Sequence, residues 1–455
     1  MRRKTVTAVF AASVGVLALV AAGCGGGGGG SSSSGGGGGV TALPASSCQN
    51  VEYGGSGKPD VLIATDLAMQ GSSRTQTLQV VGAVRYMLQQ QGWKAGTKKV
   101  ALQVCDDSTA QAGKWDSGKC NQNGKAEAAN QNLVAVIGTF NSGCAAIEIP
   151  IANQAPGGGL AMVSPANTYV CLTTGGGGTF CQTGEPGKYY PNGKRNYFRV
   201  VAHDAYQGAA DAQFAKDNGV KKVYILNDKE AYGLGIAQNF QNASKKLGIQ
   251  IAGFAAWDPK ASNYQAVMNK IKGTGADAVF LGGLICENGA QIIKDKVAVL
   301  GANNGSVKLF APDGFTTQST IDEAGKKNTA NMYASVAGVA ATSLTGLGKK
   351  FVDGYTATLG GKPIDPYAVY GAQAAQVVLD AIAKSDGTRA GVLAQVPKTD
   401  ITGAVLGPSF KFDSNGDPSA ETVKVTIYKA GDTFAPFKTV TPAKTLVDAA
   451  AGLTL

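Results

Sequence analysis

Short apolar runs alternate with longer amphipathic runs from about residue 61 to residue 282, and this alternation constrains the fold more than any other feature of the chain. The segments "DVLIATDL", "KVALQVCDD" and "LVAVIGTF" have the length and composition of buried strands, and runs with apolar residues at helical spacing separate them. The cycle begins again at "NYFRVVA". Strands that alternate with helices in this way predict parallel sheets with helices on both faces.

The length of the patterned region indicates two lobes, because nearly 400 residues are too many for one such sheet. The cycle restarts near Arg199, and the pattern changes again at "KLFAPDGF". We therefore predict a first lobe from residues 61–199 and 313–405, and a second lobe from residues 200–312 and 406–440. The predicted fold class is α/β: two doubly wound lobes joined by a multi-strand hinge, with a ligand cleft between them.

The chain begins like an exported protein. A basic start precedes an apolar stretch at residues 9–22, which is too short to span a bilayer comfortably. The stretch ends at Gly23-Cys24, which resembles the lipobox of bacterial lipoproteins, although Ala21 stands where leucine is more usual; the alternative is an ordinary signal with a chance cysteine. We predict a signal peptide over residues 1–23, a lipid on Cys24 that anchors the protein to the outer face of the cell membrane, and a Gly/Ser linker within residues 24–60.

Charge argues against nucleic acid as a partner. Without the signal peptide the chain has 38 Lys and Arg against 31 Asp and Glu, a net charge of +7. These charges are scattered, and no basic cluster is interleaved with aromatic residues.

Seven cysteines follow Cys24, an odd number that leaves one without an intramolecular partner outside the cytoplasm. Cys171 and Cys181 bracket the glycine-rich "LTTGGGGTF" and are predicted to pair. The partners among Cys48, Cys105, Cys120, Cys144 and Cys286 stay open. No CxxC spacing is present, so we expect no metal and no cofactor.

Polar groups follow the carboxyl ends of the predicted strands, where open parallel sheets bind their ligands. "TFNSGCA", "PANTY", "KEAYGLG" and "LICENG" each bring hydroxyl, amide, aromatic or carboxylate groups to the start of a helix. Helix N-termini suit a carboxylate, and Glu287 would accept an ammonium group. These groups predict a zwitterionic ligand between the lobes.

With its motifs in this order and spacing, the chain resembles the solute-binding proteins of branched-chain amino-acid ABC transporters, the leucine/isoleucine/valine-binding type. The motifs that carry the resemblance are "VIGTFNSG", "MVSPANT", "LNDKEAYGLG", "GGLICENG", "YGAQAAQVVLDAI" and "GPSFKFDSNGD". The resemblance implies a type I periplasmic binding protein that captures an amino acid, branched-chain or apolar, or a similar small solute, and delivers it to a permease.

The resemblance also implies ligand-binding residues. Ser142 occupies the position of the carboxylate-binding serine, and Asn167 and Thr168 fall on the loop that contacts the ligand's head group. Tyr232 matches the aromatic residue of the second lobe, and Glu287 matches the acid that holds the ammonium. Each has a simpler alternative: Ser142 as a helix cap, Asn167 and Thr168 as turn residues, Tyr232 as a surface aromatic, and Glu287 as a solvated residue at a helix start.

An enzyme is not predicted. A hydrolytic triad would have to use His203, the single histidine, and no GxSxG motif accompanies it. A receptor-type sensing domain on the same fold is the main alternative to transport, and a tethered envelope enzyme is a weaker one. The sequence leaves open which solute binds and whether the cell has one membrane or two.

Overall fold

The computed structural model describes residues 39–176, 181–420 and 423–453. The predicted signal peptide, Cys24 and the Gly/Ser part of the linker as far as residue 38 lie outside the described residues. Residues Gly38–Leu455 form one compact unit.

The described strands are β1 Val61–Leu67, β2 Lys94–Ala95, β3 Lys98–Asp106, β4 Ser108–Thr109, β5 Lys114–Trp115, β6 Leu133–Gly138, β7 Ala161–Ser164, β8 Tyr197–Arg199, β9 Lys222–Asn227, β10 Gln250–Ala256, β11 Ala278–Gly282, β12 Lys308–Ala311, β13 Tyr333–Val336, β14 Asp400–Ala404, β15 Gly407–Lys411, β16 Val425–Ala430 and β17 Phe434–Val440.

The described helices are α1 Arg74–Gln90, α2 Ser117–Ala129, α3 Ser142–Asn153, α4 Asp204–Asp217, α5 Ala231–Lys246, α6 Gln265–Thr274, α7 Ala290–Leu300, α8 Gln318–Ala324, α9 Lys326–Thr329, α10 Gly346–Thr358, α11 Ala368–Ala383, α12 Arg389–Gln395 and α13 Lys444–Ala450.

Two large sheets form the two lobes, which confirms the predicted α/β class. The first has the strand order β2-β3-β1-β6-β7-β8, and the second has β10-β9-β11-β12-β13-β16-β17. The first five strands of the second sheet are parallel, and β16 and β17 add antiparallel. Parallel strands buried on both faces read as continuous apolar runs, and all seven residues of β1 are buried.

Side chains of β1 show how the first sheet is covered on both faces. Val61, Ile63 and Leu67 share one hydrophobic core with α1 and α11. Leu62 and Ala64 point to the opposite face and share a second core with α3. This alternation follows from the two-residue period of a strand and makes the sheet doubly wound.

The chain crosses between the lobes three times, and two boundaries differ from the prediction. Residues 313–336, predicted in the first lobe, lie in the second, because β13 pairs with β12 and β16. Residues 407–411, predicted in the second lobe, form β15 and pair with β14 beside α10 in the first. Both corrections concern strands too short for their partner to be read from the sequence.

The predicted linker ends earlier than residue 60. Strand β2 has only two residues and pairs with only the first part of β3. The segment 47–52 lies along the rest of that edge of β3, which would otherwise be open. The amide of Glu52 donates to the carbonyl of Leu102 at 2.7 Å. Leu43 is buried as well, so the chain is fixed to the first lobe from about this residue onward.

Three disulfides join described cysteines, and all lie in the first lobe. They are Cys48–Cys105, Cys120–Cys144 and Cys171–Cys181. Cys286 is the free cysteine among the described residues, and burial raises the pKa of its thiol. Among the same residues, no helix has the length and apolar character needed to cross a bilayer.

Candidate functional site

A narrow cavity lies between the lobes at the carboxyl ends of their strands. Nine residues line it: Phe140, Asn141, Ser142, Ala166, Tyr232, Leu284, Asp313, Gly314 and Tyr367. Its volume is about 20 Å³, room for about one water molecule. The lobes are therefore closed on each other, and side chains fill the space where a ligand would sit.

Ser142 lies at the first position of α3, directly beyond the end of β6. Its hydroxyl accepts a hydrogen bond from the amide of Tyr169 at 3.3 Å and keeps its own proton for another acceptor. The first amide groups of a helix have no acceptor within the helix. The Ser142 end of the cavity can therefore donate several hydrogen bonds to a carboxylate.

Asn167 and Thr168 are fully buried and are not among the residues that line the cavity. Asn167 accepts a hydrogen bond from the hydroxyl of Tyr197 at 3.0 Å, which gives its side chain a structural role. The hydroxyl of Thr168 faces the carboxylate of Asp204 and opposes the larger effect of burial on the pKa of that acid. The carbonyl of Thr168 accepts from the amide of Asp204 at 2.8 Å, so the loop meets the start of α4 here.

Arg199 fixes the loop that contains Asn167 and Thr168. Its guanidinium is completely buried, donates to Asp417 at 2.5 Å and donates to the carbonyls of Asn167 and Tyr169 at 3.1 and 2.8 Å. The charge is thus paired and its donors are used, which is the condition for burying a guanidinium.

Asp313 is the acid that lines the cavity, and the sequence analysis missed it. The hydroxyl of Tyr232 donates to one of its oxygens at 2.5 Å, and the hydroxyl of Tyr367 donates to the other. Tyr232 and Asp313 belong to the second lobe and Tyr367 to the first, so this network bridges the cleft. Burial raises the pKa of Asp313, while the hydrogen bonds from both tyrosines oppose that effect.

A second acid, Asp204, is fully buried at the start of α4, and its carboxylate faces the hydroxyl of Thr168. Burial, and next the negative charge of Asp313, raise the pKa of Asp204 well above its usual value. The side-chain oxygen of Asn141, at the cavity wall, lacks a donor. The cleft therefore has acceptors, Asp313 and Asp204 among them, that no cation in the described part of the chain neutralises.

Glu287 does not line the cavity but forms an ion pair across the cleft. Its buried carboxylate contacts the ammonium of Lys114, which also lies 3.3 Å from Glu230. Lys114 comes from β5 in the first lobe, and both acids belong to the second. Burial lowers the pKa of Lys114, but the two carboxylates leave it raised overall, so its charge is retained.

The structure thus brings Ser142 and Tyr232 together and sets Glu287 apart from them. The missed residues differ in how well they could have been found. Asp313 follows β12 in "FAPDG", so the strand-end rule applied to one more strand would reach it. Lys114 and Tyr367 carry no such signal, because one lies in a two-residue strand and the other only precedes a helix.

Comparisons with known proteins agree with this architecture. The family model described as "Periplasmic binding protein" matches residues 69–432. A protein of Brucella melitensis biotype 1 named Leu/Ile/Val-binding protein homolog 3 is 28% identical over 248 residues, which cover 52% of this chain and 59% of that protein. The chain therefore spans somewhat more than half the length of this curated relative.

Solved structures share the fold at low sequence identity. A leucine-binding protein LivK from Thermotoga maritima has a TM-score of 0.71 and 22% identity, covering 84% of this chain and 99% of that one. The branched-chain amino acid substrate-binding protein LivJ from Streptococcus pneumoniae, solved with isoleucine, has a TM-score of 0.66 and 17% identity, covering 83% and 99%. The chain belongs to the periplasmic binding protein family, a family of substrate-binding proteins and not of enzymes, and has the two-lobed fold of its type I branched-chain amino acid-binding members.

Proposed function

We propose that this protein is the exported solute-binding component of an ABC importer, held to the outer face of the membrane by a lipid on Cys24. It captures an α-amino acid with an apolar side chain between its lobes and delivers it to the permease. The observation that carries the ligand class is the polarity of the cleft: donors at one end and buried, unneutralised acceptors at the other.

The donor end is the N-terminus of α3 with Ser142, which suits the ligand's carboxylate. The acceptor end is Asp313, which lines the cavity, with the negative charge of Asp204 near by. No lysine or arginine is among the residues that line this cavity. An incoming ammonium group would supply the missing positive charge, and a zwitterion satisfies both ends at once.

The remaining cavity surface favours an apolar side chain. Phe140, Ala166 and Leu284 contribute carbon surface, and the ring of Phe140 packs edge-on against that of Tyr367 at 5.6 Å between centroids. Burying an apolar side chain here would contribute about 1.5–3 kcal/mol. Together with an ion-paired head group, this suffices for micromolar binding, which requires about 8 kcal/mol.

Glu287 has a different role in this proposal from the one its motif suggests. Its charge is matched by Lys114, so it stabilises closure of the lobes instead of contacting the ligand. The ammonium ligand is then Asp313. Since the cavity holds about one water, the ligand must enter an open form and displace part of the Tyr232–Asp313–Tyr367 network. Closure follows because groups on both lobes contact the ligand only in the closed form.

Calorimetric titration of residues 40–455 with apolar amino acids tests the proposal. The best ligand is then compared with its amide and with its des-amino acid. We expect both analogues to lose binding, because each lacks one charge of the head group. A des-amino acid that binds as tightly as the amino acid would contradict the zwitterion proposal.

Two variants assign the ammonium site. Asp313→Asn should weaken amino-acid binding by about 100-fold or more, since losing one partner of a buried pair costs about 3–5 kcal/mol. Glu287→Gln should weaken it less, because it acts only on closure. If Glu287→Gln has the larger effect, the ammonium belongs to Glu287, and the assignment to Asp313 is wrong.

A further inference from the structure

Four carboxylate side chains are buried together inside the first lobe. Asp66 lies at the end of β1, Asp107 directly follows β3, Glu127 lies on α2 and Glu148 lies on α3. Their residue exposures are 0%, 0%, 2% and 0%. None of them lines the cavity between the lobes, and the proposed transport function uses none of them.

Most of these oxygens lack a hydrogen-bond donor. Both oxygens of Asp107, one of Glu127 and one of Glu148 have no donor among the described residues. The other oxygen of Glu148 lies 3.3 Å from the sulfur of Cys144, which is bonded to Cys120 and so has no proton to donate. Asp66 accepts from the side-chain amide of Asn123 at 3.0 and 3.1 Å, and it also shares a hydrogen bond with the carboxyl group of Glu148.

The two basic side chains that act on the cluster do not neutralise it. Lys119 donates to the carbonyl of Ser46 at 2.6 Å. Arg389 donates to main-chain carbonyls, including those of Leu133 and Ala128, both at 2.7 Å. Neither has a salt bridge to a carboxylate among the described residues. Four unpaired charges cannot remain in such an interior, so protons or a cation must compensate them.

The positions of the oxygens fit one cation. One oxygen from each of Asp66, Glu127 and Glu148 lies within 4.8 Å of the others. Two oxygens that bind the same calcium at about 2.3–2.6 Å are at most about 5 Å apart, so these three can share one ion.

Asp107 lies next to this group without being one of its three members. One of its oxygens lies within 4.8 Å of the sulfurs of Cys120 and Cys144, the disulfide that Glu148 also contacts. Its negative charge, after burial, contributes to raising the pKa of both Glu127 and Glu148. The Asn123 side chain, almost fully buried, adds an oxygen without a partner next to Asp66.

The donor set selects the kind of cation. All candidate ligand atoms are oxygens, and the only nearby sulfurs are held in a disulfide. Such a set excludes soft metals and suits hard divalent cations. A set of three carboxylates without histidine suits calcium better than magnesium, which keeps several waters and binds through one or two carboxylates.

We propose that Asp66, Glu127 and Glu148 bind one calcium ion inside the first lobe. The ion joins the end of β1 to α2 and α3, whose mutual position the Cys120–Cys144 disulfide also fixes.

The test measures calcium binding by the protein after treatment with EDTA. Residues 40–455 are dialysed free of chelator at pH 7.5 and titrated with CaCl₂ and MgCl₂ by calorimetry, and thermal unfolding is recorded at 0 and 1 mM of each. We expect one calcium per chain with micromolar to submillimolar affinity, a higher melting temperature with calcium, and at least tenfold weaker binding of magnesium.

Matched variants locate the site. Glu148→Gln and Glu127→Gln should each reduce calcium affinity at least tenfold, whereas Asp400→Asn, which changes an exposed acid on β14, should not. Should a buried variant fail to fold, the titration of the unaltered protein still decides. Absence of calcium binding and of any shift in melting temperature at 1 mM would overturn the proposal and show that protons neutralise the cluster. Binding that survives in both folded buried variants would also overturn it, because the ion would then lie elsewhere.

Discussion

Replacing Lys114 with glutamine should open the cleft. Lys114 is the cation that joins the hairpin of the first lobe to Glu287 and Glu230 of the second. Breaking a fully buried pair costs about 3–5 kcal/mol, and an exposed pair contributes about 0.2–1 kcal/mol. Glu287 is 2% exposed but Lys114 is 27% exposed, so we expect an intermediate loss of about 2 kcal/mol.

That loss should appear in lobe closure and not in the folding of either lobe, because the pair exists only when the lobes meet. A change of about 2 kcal/mol lowers the ratio of closed to open molecules by about 30-fold. Small-angle X-ray scattering of the ligand-free protein measures it as a larger radius of gyration for Lys114→Gln. The double variant with Glu287→Gln should recover part of the closure, because it removes one unpaired buried carboxylate.

Lys384→Gln provides the control. It removes an ion pair with Asp380 at 2.8 Å at the end of α11, and both residues belong to the first lobe. Its radius of gyration should equal that of the unaltered protein. If Lys114→Gln also leaves the radius unchanged, the ion pair does not hold the lobes together, and our interpretation of Glu287 is wrong.

Two further predictions concern stability. Burial lowers the pKa of His203 to about 4, so the unfolded chain binds more protons than the folded protein between pH 6.5 and 4. The free energy of unfolding should therefore fall as the pH falls, by about 2 kcal/mol for this group. Urea titrations at pH 7 and 4.5 should show that the difference in free energy of unfolding between the unaltered protein and His203→Gln becomes smaller at the lower pH, and a constant difference would contradict this. Arg199→Lys loses the guanidinium that binds Asp417 and the carbonyls of Asn167 and Tyr169, and it should cost about 3–5 kcal/mol in urea unfolding. Arg85→Lys, at a half-buried pair, should cost under about 1 kcal/mol, and equal losses for the two variants would refute the distinction.

The fold could be predicted from the sequence because its signal is local and repeated. Each buried strand, such as β1 or β6, is an apolar run that stands out from the helices on either side. The wrong lobe boundaries involve β13 and β15, which have four and five residues. A strand that short does not reveal which sheet it joins, since its partner is distant in sequence.

Parts of the site follow from the same local rule, and parts depend on contacts that no local pattern encodes. Ser142 and Tyr232 both stand near the start of a helix that follows a strand, and the structure places both in the cavity wall. Lys114 meets Glu287 only because two lobes close on each other, over a separation of 173 residues. Glu127 and Glu148 illustrate another limit, because a glutamate on a helix is normally assigned to its solvated face.

The segment 47–52, which lies along the edge of β3, determines how the two-lobed part of the protein responds to force. Under the proposed anchor at Cys24, tension in the tether reaches the first lobe near Leu43 and then the Cys48–Cys105 bond, which joins the segment covalently to a strand flanked by β1. A pull therefore cannot peel this edge segment away one hydrogen bond at a time. The first lobe becomes the fixed part of a tethered hinge, and thermal motion is carried mainly by the second lobe.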